Sequence, residues 1–198
     1  MTKFPKMVEI LAPGESGDAK ISHVSVTRED SLRTCLRPRE YVSEGQYVQL
    51  HVNGVLMRSD TRHEHITNYT VVSKARGQVF IAGLGVGMIC HAIADKSEVD
   101  RIVVIEKSQG VIDLVGPTMP AKVEVIQGDV FEFKAAKGTK FDTIYFDIWP
   151  FITTDNLPEM GRLHRRFRKY LAKDGWMQSW CRDRLKSQLR QERRMFPV

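Results

Sequence analysis

The order of apolar and polar positions divides the chain near residue 60. Before this point, short apolar or alternating runs are separated by turn residues, a pattern typical of β-strands. The clearest local signal is Asn53-Gly54 between two such runs, because both positions of a tight hairpin turn favour positive φ. We therefore predict a β-rich N-terminal region over residues 1–60, with strands at 7–11, 21–27, 47–52 and 55–57.

From residue 79 onward, apolar strand segments alternate with helical segments. The predicted strands are 79–82, 101–105, 123–126, 141–146 and 176–181, and the predicted helices are 88–94, 108–115, 157–171 and 182–195. This alternation predicts an α/β fold: a Rossmann-like, mostly parallel sheet with helices on both faces, over residues 61–198. Little chain follows the fifth predicted strand, so we expect the C-terminal end of the sheet to be truncated.

Charge adds one feature to this picture. The chain of 198 residues carries a net charge of +6, but residues 161–198 hold 12 Lys/Arg against 3 Asp/Glu. A basic segment of this kind suits a polyanionic partner such as nucleic acid, and an ordinary solvated helix face is the alternative. No apolar run is long enough to cross a bilayer, and the first residues lack the apolar segment of a signal peptide. We expect a cytoplasmic protein without a membrane partner.

The cysteines do not suggest a disulfide framework or a metal site. Cys35, Cys90 and Cys181 are far apart, odd in number and outside any CxxC pair. We expect them to be small buried apolar residues.

A glycine loop, Gly83-Leu84-Gly85-Val86-Gly87, joins the first strand of the parallel region to its helix. Glycines let the backbone turn sharply and approach a ligand closely, and the helix that follows offers free N–H groups. The dinucleotide fingerprint G-x-G-x-x-G is not met, because Met88 occupies the last glycine position. The loop thus indicates a ligand site, with a purely structural turn as the alternative.

Acidic residues end the next three strands. Glu106 is placed to accept hydrogen bonds from ribose hydroxyls, as the acid at this position does in NAD-binding folds. The next residue, Lys107, is also predicted to contact the cofactor. Asp129 and the backbone of Val130 could recognise adenine. A strand-end acid or a helix cap is the alternative for each of these residues.

The fourth strand ends in Asp147-Ile148-Trp149-Pro150. Ligands of open α/β sheets lie outside the carboxyl ends of the strands, so Asp147 and Trp149 are predicted to face the reacting centre as catalytic residues, with Asp147 also touching the cofactor. The alternative makes Asp147 a cap and Trp149 a core residue. The four elements together are more specific than any one.

Residues 40–150 resemble the spermidine-synthase-like branch of class I S-adenosylmethionine-dependent methyltransferases. The resemblance rests on the predicted hairpin, the glycine loop, and the runs 103–106, 128–133 and 141–147. It implies S-adenosylmethionine as cofactor, with Glu106 on the ribose and Asp129 on the adenine. His63-Glu64 is similar to a His-Glu pair that precedes the first strand in spermidine synthases, and the small size resembles compact methyltransferase-like proteins of tailed bacteriophages.

The chain also departs from that pattern. Aminopropyltransferases carry an acid at the position of Val86 and a second acid shortly after the one matched by Asp147, and both are missing here. Diamine ammonium groups need carboxylate anchors, so the resemblance favours methyl transfer to an unknown acceptor over polyamine synthesis. An aminopropyltransferase-like or cofactor-degrading enzyme, and a non-catalytic binding protein of the same fold, remain alternatives. A homodimer could complete a site that one truncated chain leaves open.

Overall fold

A computed structural model of the protein describes residues 4–34 and 41–195. Its N-terminal part is a four-stranded antiparallel sheet whose strands follow the chain order, with α1 (Arg28–Thr34) between the second and third. The strands are β1 (Gly14–Ser16), β2 (Ala19–Val26), β3 (Gly45–Val52) and β4 (Val55–Ser59). Asn53 and Gly54, with φ of 50° and 75°, form the turn between β3 and β4 and confirm the predicted hairpin.

The second sheet has five strands in the order β7-β6-β5-β8-β9, and every neighbouring pair is parallel. Its strands are β5 (Gly77–Ala82), β6 (Val99–Glu106), β7 (Val123–Gln127), β8 (Phe141–Phe146) and β9 (Leu171–Ser179). The helices are α2 (Arg62–Lys74), α3 (Met88–Ala94), α4 (Gln109–Val115), α5 (Leu157–Phe167) and α6 (Arg182–Met195). The strand order reverses beside β5, which is where ligands bind in folds of this class.

Both faces of the parallel sheet are covered. Along β5, Val79 and Ile81 pack into one core with α2, α3, α4 and the N-terminal sheet. The alternate residues Phe80 and Ala82 pack into a second core that includes Phe167 of α5. Apolar residues on both sides of a strand produce the continuous apolar runs seen in the sequence, and the predicted Rossmann-like α/β class is confirmed.

Several details differ from the sequence-based expectations. Residues 7–11 do not form a strand: Met7–Glu9 is a turn of 3-10 helix, because the Met7 N–H donates to the Asp60 carboxylate (3.1 Å) instead of to a neighbouring strand. Helix α5 ends at Phe167, and β9 already begins at Leu171, which pairs with Phe141. Helices α1 and α2 and the short strand β1 were not predicted. Within the described residues, only α6 follows β9.

The N-terminal sheet is fastened to the parallel domain through α4. Gly110 lies so close to β1 that a Cβ atom would overlap the carbonyl oxygen of Ser16. The Ser16 hydroxyl donates to Asp113 (2.8 Å), and the Ser108 hydroxyl donates to Asp18 (2.6 Å). These contacts hold the hairpin turns over the carboxyl ends of the parallel strands and thereby build the second wall of a cavity.

The remaining expectations concern cysteines, charge and membranes. Cys90 is buried and Cys181 is half-buried, whereas Cys35 lies outside the described residues. Helix α6 buries only Leu185 and is otherwise mostly exposed. Among residues 4–34 and 41–195, no helix combines the length and apolar character that a membrane span requires.

Candidate active site

A cavity of about 510 Å³ lies between the N-terminal sheet and the carboxyl ends of β5, β6, β7 and β8. Its size falls within the usual range for small-molecule sites. Seven of the residues predicted from sequence line it: Gly83, Gly85, Glu106, Lys107, Asp129, Val130 and Asp147. Two others, Gly87 and Trp149, are not among its lining residues.

The glycine loop needs its glycines for two reasons. Gly83 has a φ of 93°, and a Cβ there would overlap the backbone oxygen of Asp147. Gly87 has a φ of 75°, and a Cβ there would overlap the side chain of Met119. Positive φ and close approach both disfavour larger residues, so the loop packs tightly against the end of β8. Gly87 is the N-cap residue of α3.

Glu106 holds the glycine loop in place. One carboxylate oxygen accepts the Leu84 N–H (2.8 Å) and the other accepts the Ser108 N–H (2.9 Å). A carboxylate oxygen can accept more than one hydrogen bond, so both oxygens retain acceptor capacity toward the cavity. Glu106 is therefore a rigid, pre-oriented acceptor pair, which is what a vicinal diol requires.

Asp129 forms a second fixed acceptor. Its carboxylate accepts the Phe131 N–H (2.8 Å) and an ion-pair hydrogen bond from the exposed Lys107 ammonium (3.1 Å). The backbone hydrogen bond from Phe131 lowers the pKa of Asp129, and Lys107 adds to that shift. Asp129 thus stays ionised near neutral pH and can accept a hydrogen bond from an amino group.

Asp147 is buried and ion-paired. Its carboxylate contacts the guanidinium of Arg58, and both side chains are only 7% exposed. Burial raises the pKa of Asp147, and Arg58 opposes that shift. Arg58 comes from β4 of the N-terminal sheet, so the ion pair connects the two sheets directly across the end of the cavity.

Arg58 uses all its donors within the protein. Besides Asp147, its guanidinium donates to the backbone oxygens of Met57 (2.6 Å), Trp149 (3.0 Å) and Asp147 (3.0 Å). The guanidinium also lies over the ring of Trp180, 4.5 Å from its centroid. The five N–H groups of the guanidinium make five hydrogen bonds to oxygen atoms of the protein. Arg58 therefore has a structural role and leaves no donor for a ligand.

Trp149 lies behind the cavity wall. It is 5% exposed, packs in the core formed with α5, and donates its indole N–H to Glu159 (3.0 Å). The structure therefore brings Asp147 and Trp149 together through Arg58, which binds the backbone oxygens of both, while only Asp147 reaches the cavity.

Sequence reasoning missed the contribution of the N-terminal sheet to this site. Asp18, Asn53 and Arg58 line the cavity, together with the apolar Leu50, Val52 and Met57. The Asn53-Gly54 signal predicted only a turn, and nothing local in the sequence shows that these residues reach the cavity, because tertiary packing brings them there. The lining also includes the apolar residues Ile105, Val111, Val130 and Phe131. In the described parts of the chain, no group of three or more His, Cys, Asp or Glu could hold a metal ion.

Comparison with known proteins adds evidence on the fold. No model of a known protein family matches the chain, and no curated protein matches it. Among solved structures, spermidine synthase from Thermotoga maritima superposes with a TM-score of 0.50 at 14% identity, covering 85% of this chain and 55% of that one. The chain is also similar to the DhpI–SAH complex (TM-score 0.45, 16% identity, 59% and 54% covered). For N-methyltransferase NodS from Bradyrhizobium japonicum WM9, the TM-score is 0.44 at 18% identity, with 59% of this chain and 64% of that chain covered.

At such low identity, the likeness to spermidine synthase shows a shared fold. It extends to 85% of the chain, and it agrees with the Rossmann-like α/β fold that the sequence motifs indicated. The chain spans about half the length of that synthase and of DhpI.

Proposed function

We propose that the cavity binds S-adenosylmethionine and that the protein transfers the methyl group of this cofactor to an acceptor. The observation that carries the proposal is the set of fixed carboxylates, Glu106 and Asp129, at adjacent strand ends beside a glycine loop and between apolar walls. A nucleoside needs this combination: acceptors for hydroxyl and amino groups, and an apolar slot for the base.

The carboxylates and the glycine loop have defined tasks in this proposal. Glu106 accepts the two ribose hydroxyls with the acceptor capacity that Leu84 and Ser108 leave free. Asp129 accepts from the adenine amino group, and the backbone of Val130 contacts the ring. The loop around Gly83 and Gly85 lets the polar tail of the ligand lie against the backbone.

Catalysis would rest on positioning. The bound cofactor supplies an already activated methyl group on a sulfonium, so the protein has to align the acceptor and exclude water. Asp147 closes this end of the cavity through its ion pair with Arg58, and Trp149 supports the same loop from behind. We assign Asp147 and Trp149 to shaping the place where the acceptor meets the methyl group.

Calorimetric titration with S-adenosylmethionine and S-adenosylhomocysteine tests the binding step. Asp129→Asn and Glu106→Gln each remove a charged acceptor, so we expect both to weaken binding about tenfold to a hundredfold. Glu98→Gln is the matched control, because Glu98 is exposed at the opposite end of β6. Absence of binding heat at millimolar ligand would refute the proposal.

Product analysis by mass spectrometry separates the possible reactions. S-adenosylhomocysteine would indicate methyl transfer, whereas methylthioadenosine would indicate aminopropyl transfer or breakdown of the cofactor. The Arg58–Asp147 pair, which seals one end of the cavity, favours a third candidate, a binding protein without turnover. Binding with neither product in the presence of broad acceptor mixtures would support that candidate.

The exposed basic residues of α6 suggest an acceptor class. The exposed basic residues of this helix are Arg184, Lys186, Arg190, Arg193 and Arg194. Cys181, which directly precedes the helix, interacts electrostatically with Asp147 and Arg58. We propose that α6 binds nucleic acid through its phosphates. The double variant Lys186→Glu, Arg190→Glu should weaken DNA or RNA binding and flatten its salt dependence. Reversing the charges of the exposed Lys134 and Lys137 to Glu should change nucleic-acid binding little. Salt-independent binding would contradict this proposal.

A further inference from the structure

One aromatic side chain lines the cavity beside Asp129. Phe131 is among the lining residues, and its backbone N–H is the donor that fixes the Asp129 carboxylate (2.8 Å). Val130, between these two residues, is buried and also lines the cavity. The segment after β7 thus places a hydrogen-bond acceptor and an aromatic ring two positions apart at one end of the cavity.

A cation covers one side of this ring. The guanidinium carbon of Arg162, on α5, lies over the Phe131 ring at 4.4 Å from its centroid. Arg162 is not among the residues that line the cavity, so it covers the ring from behind. A base in the cavity therefore meets the opposite face or the edge of the ring, and both arrangements are favourable for a pair of aromatic rings.

Glu159 connects Arg162 to the core. One oxygen of the Glu159 carboxylate lies 3.7 Å from the Arg162 guanidinium, three residues later on α5. The other oxygen accepts the indole N–H of the buried Trp149 (3.0 Å). A continuous set of contacts thus runs from Trp149 through Glu159 and Arg162 to the Phe131 ring, which connects the loop after β8 with the loop after β7.

The ring is the nearest partner of Arg162 at the cavity. Arg162 also acts on Asp129 electrostatically: the hydrogen bond from Phe131 is the main cause that lowers the pKa of Asp129, Lys107 adds to it, and Arg162 contributes less than either. Among the described residues, Arg162 makes no hydrogen bond to Asp129. The direct contact of Arg162 at this end of the cavity is therefore the one with the aromatic ring.

We infer that Phe131 provides the aromatic surface against which the base of the bound nucleoside packs, and that Arg162 is a positioning residue that holds this ring in place. The inference rests on the proposed function and adds two residues to its recognition of the base. A cation is attracted to the negative face of an aromatic ring, so Arg162 orients Phe131 without entering the space of the base. A side chain that is already ordered loses less freedom when the ligand binds.

Calorimetric titration with S-adenosylhomocysteine measures both contributions. This ligand has no sulfonium, so removing the positive charge of Arg162 has little direct electrostatic effect on it. Phe131→Leu keeps an apolar side chain but removes the ring, and we expect the affinity to fall about fivefold or more. Arg162→Met should weaken binding about twofold to fivefold. Arg162→Lys keeps a cation over the ring and should bind more tightly than Arg162→Met.

A double variant shows whether Arg162 acts through Phe131. In the Phe131→Leu background, Arg162→Met should cause no further loss of affinity, because the ring that Arg162 orients is gone. Lys169→Met is the matched control: the Lys169 ammonium lies over the Tyr170 ring, 4.8 Å from its centroid, and neither residue lines the cavity. This control should bind S-adenosylhomocysteine like the wild type.

A measurement on the wild type covers the case in which Phe131→Leu does not fold. Arg162 and Lys169 are both exposed, so their variants should keep the melting temperature close to that of the wild type. In the NMR spectrum of the wild-type complex, the adenine H2 and H8 protons of the ligand should show nuclear Overhauser contacts to the Phe131 ring. A bound ligand without these contacts would overturn the inference.

The outcomes distinguish this inference from the proposed function. If the wild type does not bind S-adenosylhomocysteine, the proposed function fails and the inference fails with it. If the wild type binds and the Phe131 and Arg162 variants bind equally well, cofactor binding stands but these residues do not recognise the base. A loss in Arg162→Met that persists in the Phe131→Leu background, or an equal loss in Arg162→Lys, would refute the positioning role of Arg162.

Discussion

Replacing Arg58 with Met should be the most damaging single change at the interface of the two sheets. The side chain is 7% exposed, and its guanidinium contacts the Asp147 carboxylate and three backbone oxygens. Methionine fills a similar volume but donates no hydrogen bond. Removing one partner of a buried ion pair leaves a buried charge without compensation, which typically costs about 3–5 kcal/mol.

Urea unfolding and thermal melts measure this cost. For a chain of this length, 3–5 kcal/mol corresponds to a fall in Tm of about 6–20 °C. Arg101→Met is the matched control, because Arg101 pairs with Glu124 on β6 and β7 with side chains 56% and 47% exposed. An exposed pair of this kind contributes about 0–1 kcal/mol, so the control should melt close to the wild type.

A double variant makes the test stricter. Arg58→Met combined with Asp147→Asn removes the unpaired charge, so it should recover part of the stability lost in Arg58→Met alone. If Arg58→Met and Arg101→Met lose equal stability, or if the second substitution only adds further loss, the buried pair does not connect the two sheets as we describe.

Two further predictions concern packing and pH. Gly110→Ala should destabilise the protein by about 2 kcal/mol or more in a urea titration, because a Cβ would overlap the Ser16 carbonyl oxygen. Gly161→Ala in α5 is the control, since the nearest atom to its Cβ is the end of the Arg165 side chain at 3.4 Å. This control should be neutral or stabilising in the same titration. Burial raises the pKa of Glu64 in the folded state to about 7, against an ordinary value of 4.5. Between these pH values the folded state binds more protons than the unfolded state. The stability of the wild type should therefore fall as pH rises from about 4.5 to 7, by at most about 3 kcal/mol. Glu64→Gln should therefore gain stability relative to the wild type between pH 5 and pH 8, and an unchanged difference across that range would contradict the burial of Glu64.

Much of the parallel domain could be predicted because its signals are local. The helix at Met88–Ala94 and the strand at Phe141–Phe146 match their predicted bounds, since apolar runs and glycine turns act over a few residues. Short apolar runs are less informative. Residues 7–11 suit a strand or a helical turn equally well, and only the contact between Met7 and Asp60 favours the turn.

The residues of the site also divide into those that local sequence signals predicted and those that they did not. The glycine loop, Glu106 and Asp129 follow predicted strands, and parallel strands bring their carboxyl ends to one edge of the sheet, so sequence placed these residues around a common cavity. Sequence could not decide the state of Asp147 or the position of Trp149. The partner of Asp147 is Arg58, 89 positions earlier in the chain, and no periodicity links the two residues.

The sequence alone determined the α/β class, the hairpin and the strand-end residues of the cavity, because turn chemistry and apolar periodicity are properties of neighbouring residues. Only the tertiary structure decided that the N-terminal sheet supplies one cavity wall and that the buried guanidinium of Arg58 pairs with the Asp147 carboxylate. Burial and charge pairing depend on which distant segments meet, and these two effects set the protonation states on which the chemistry of the site rests.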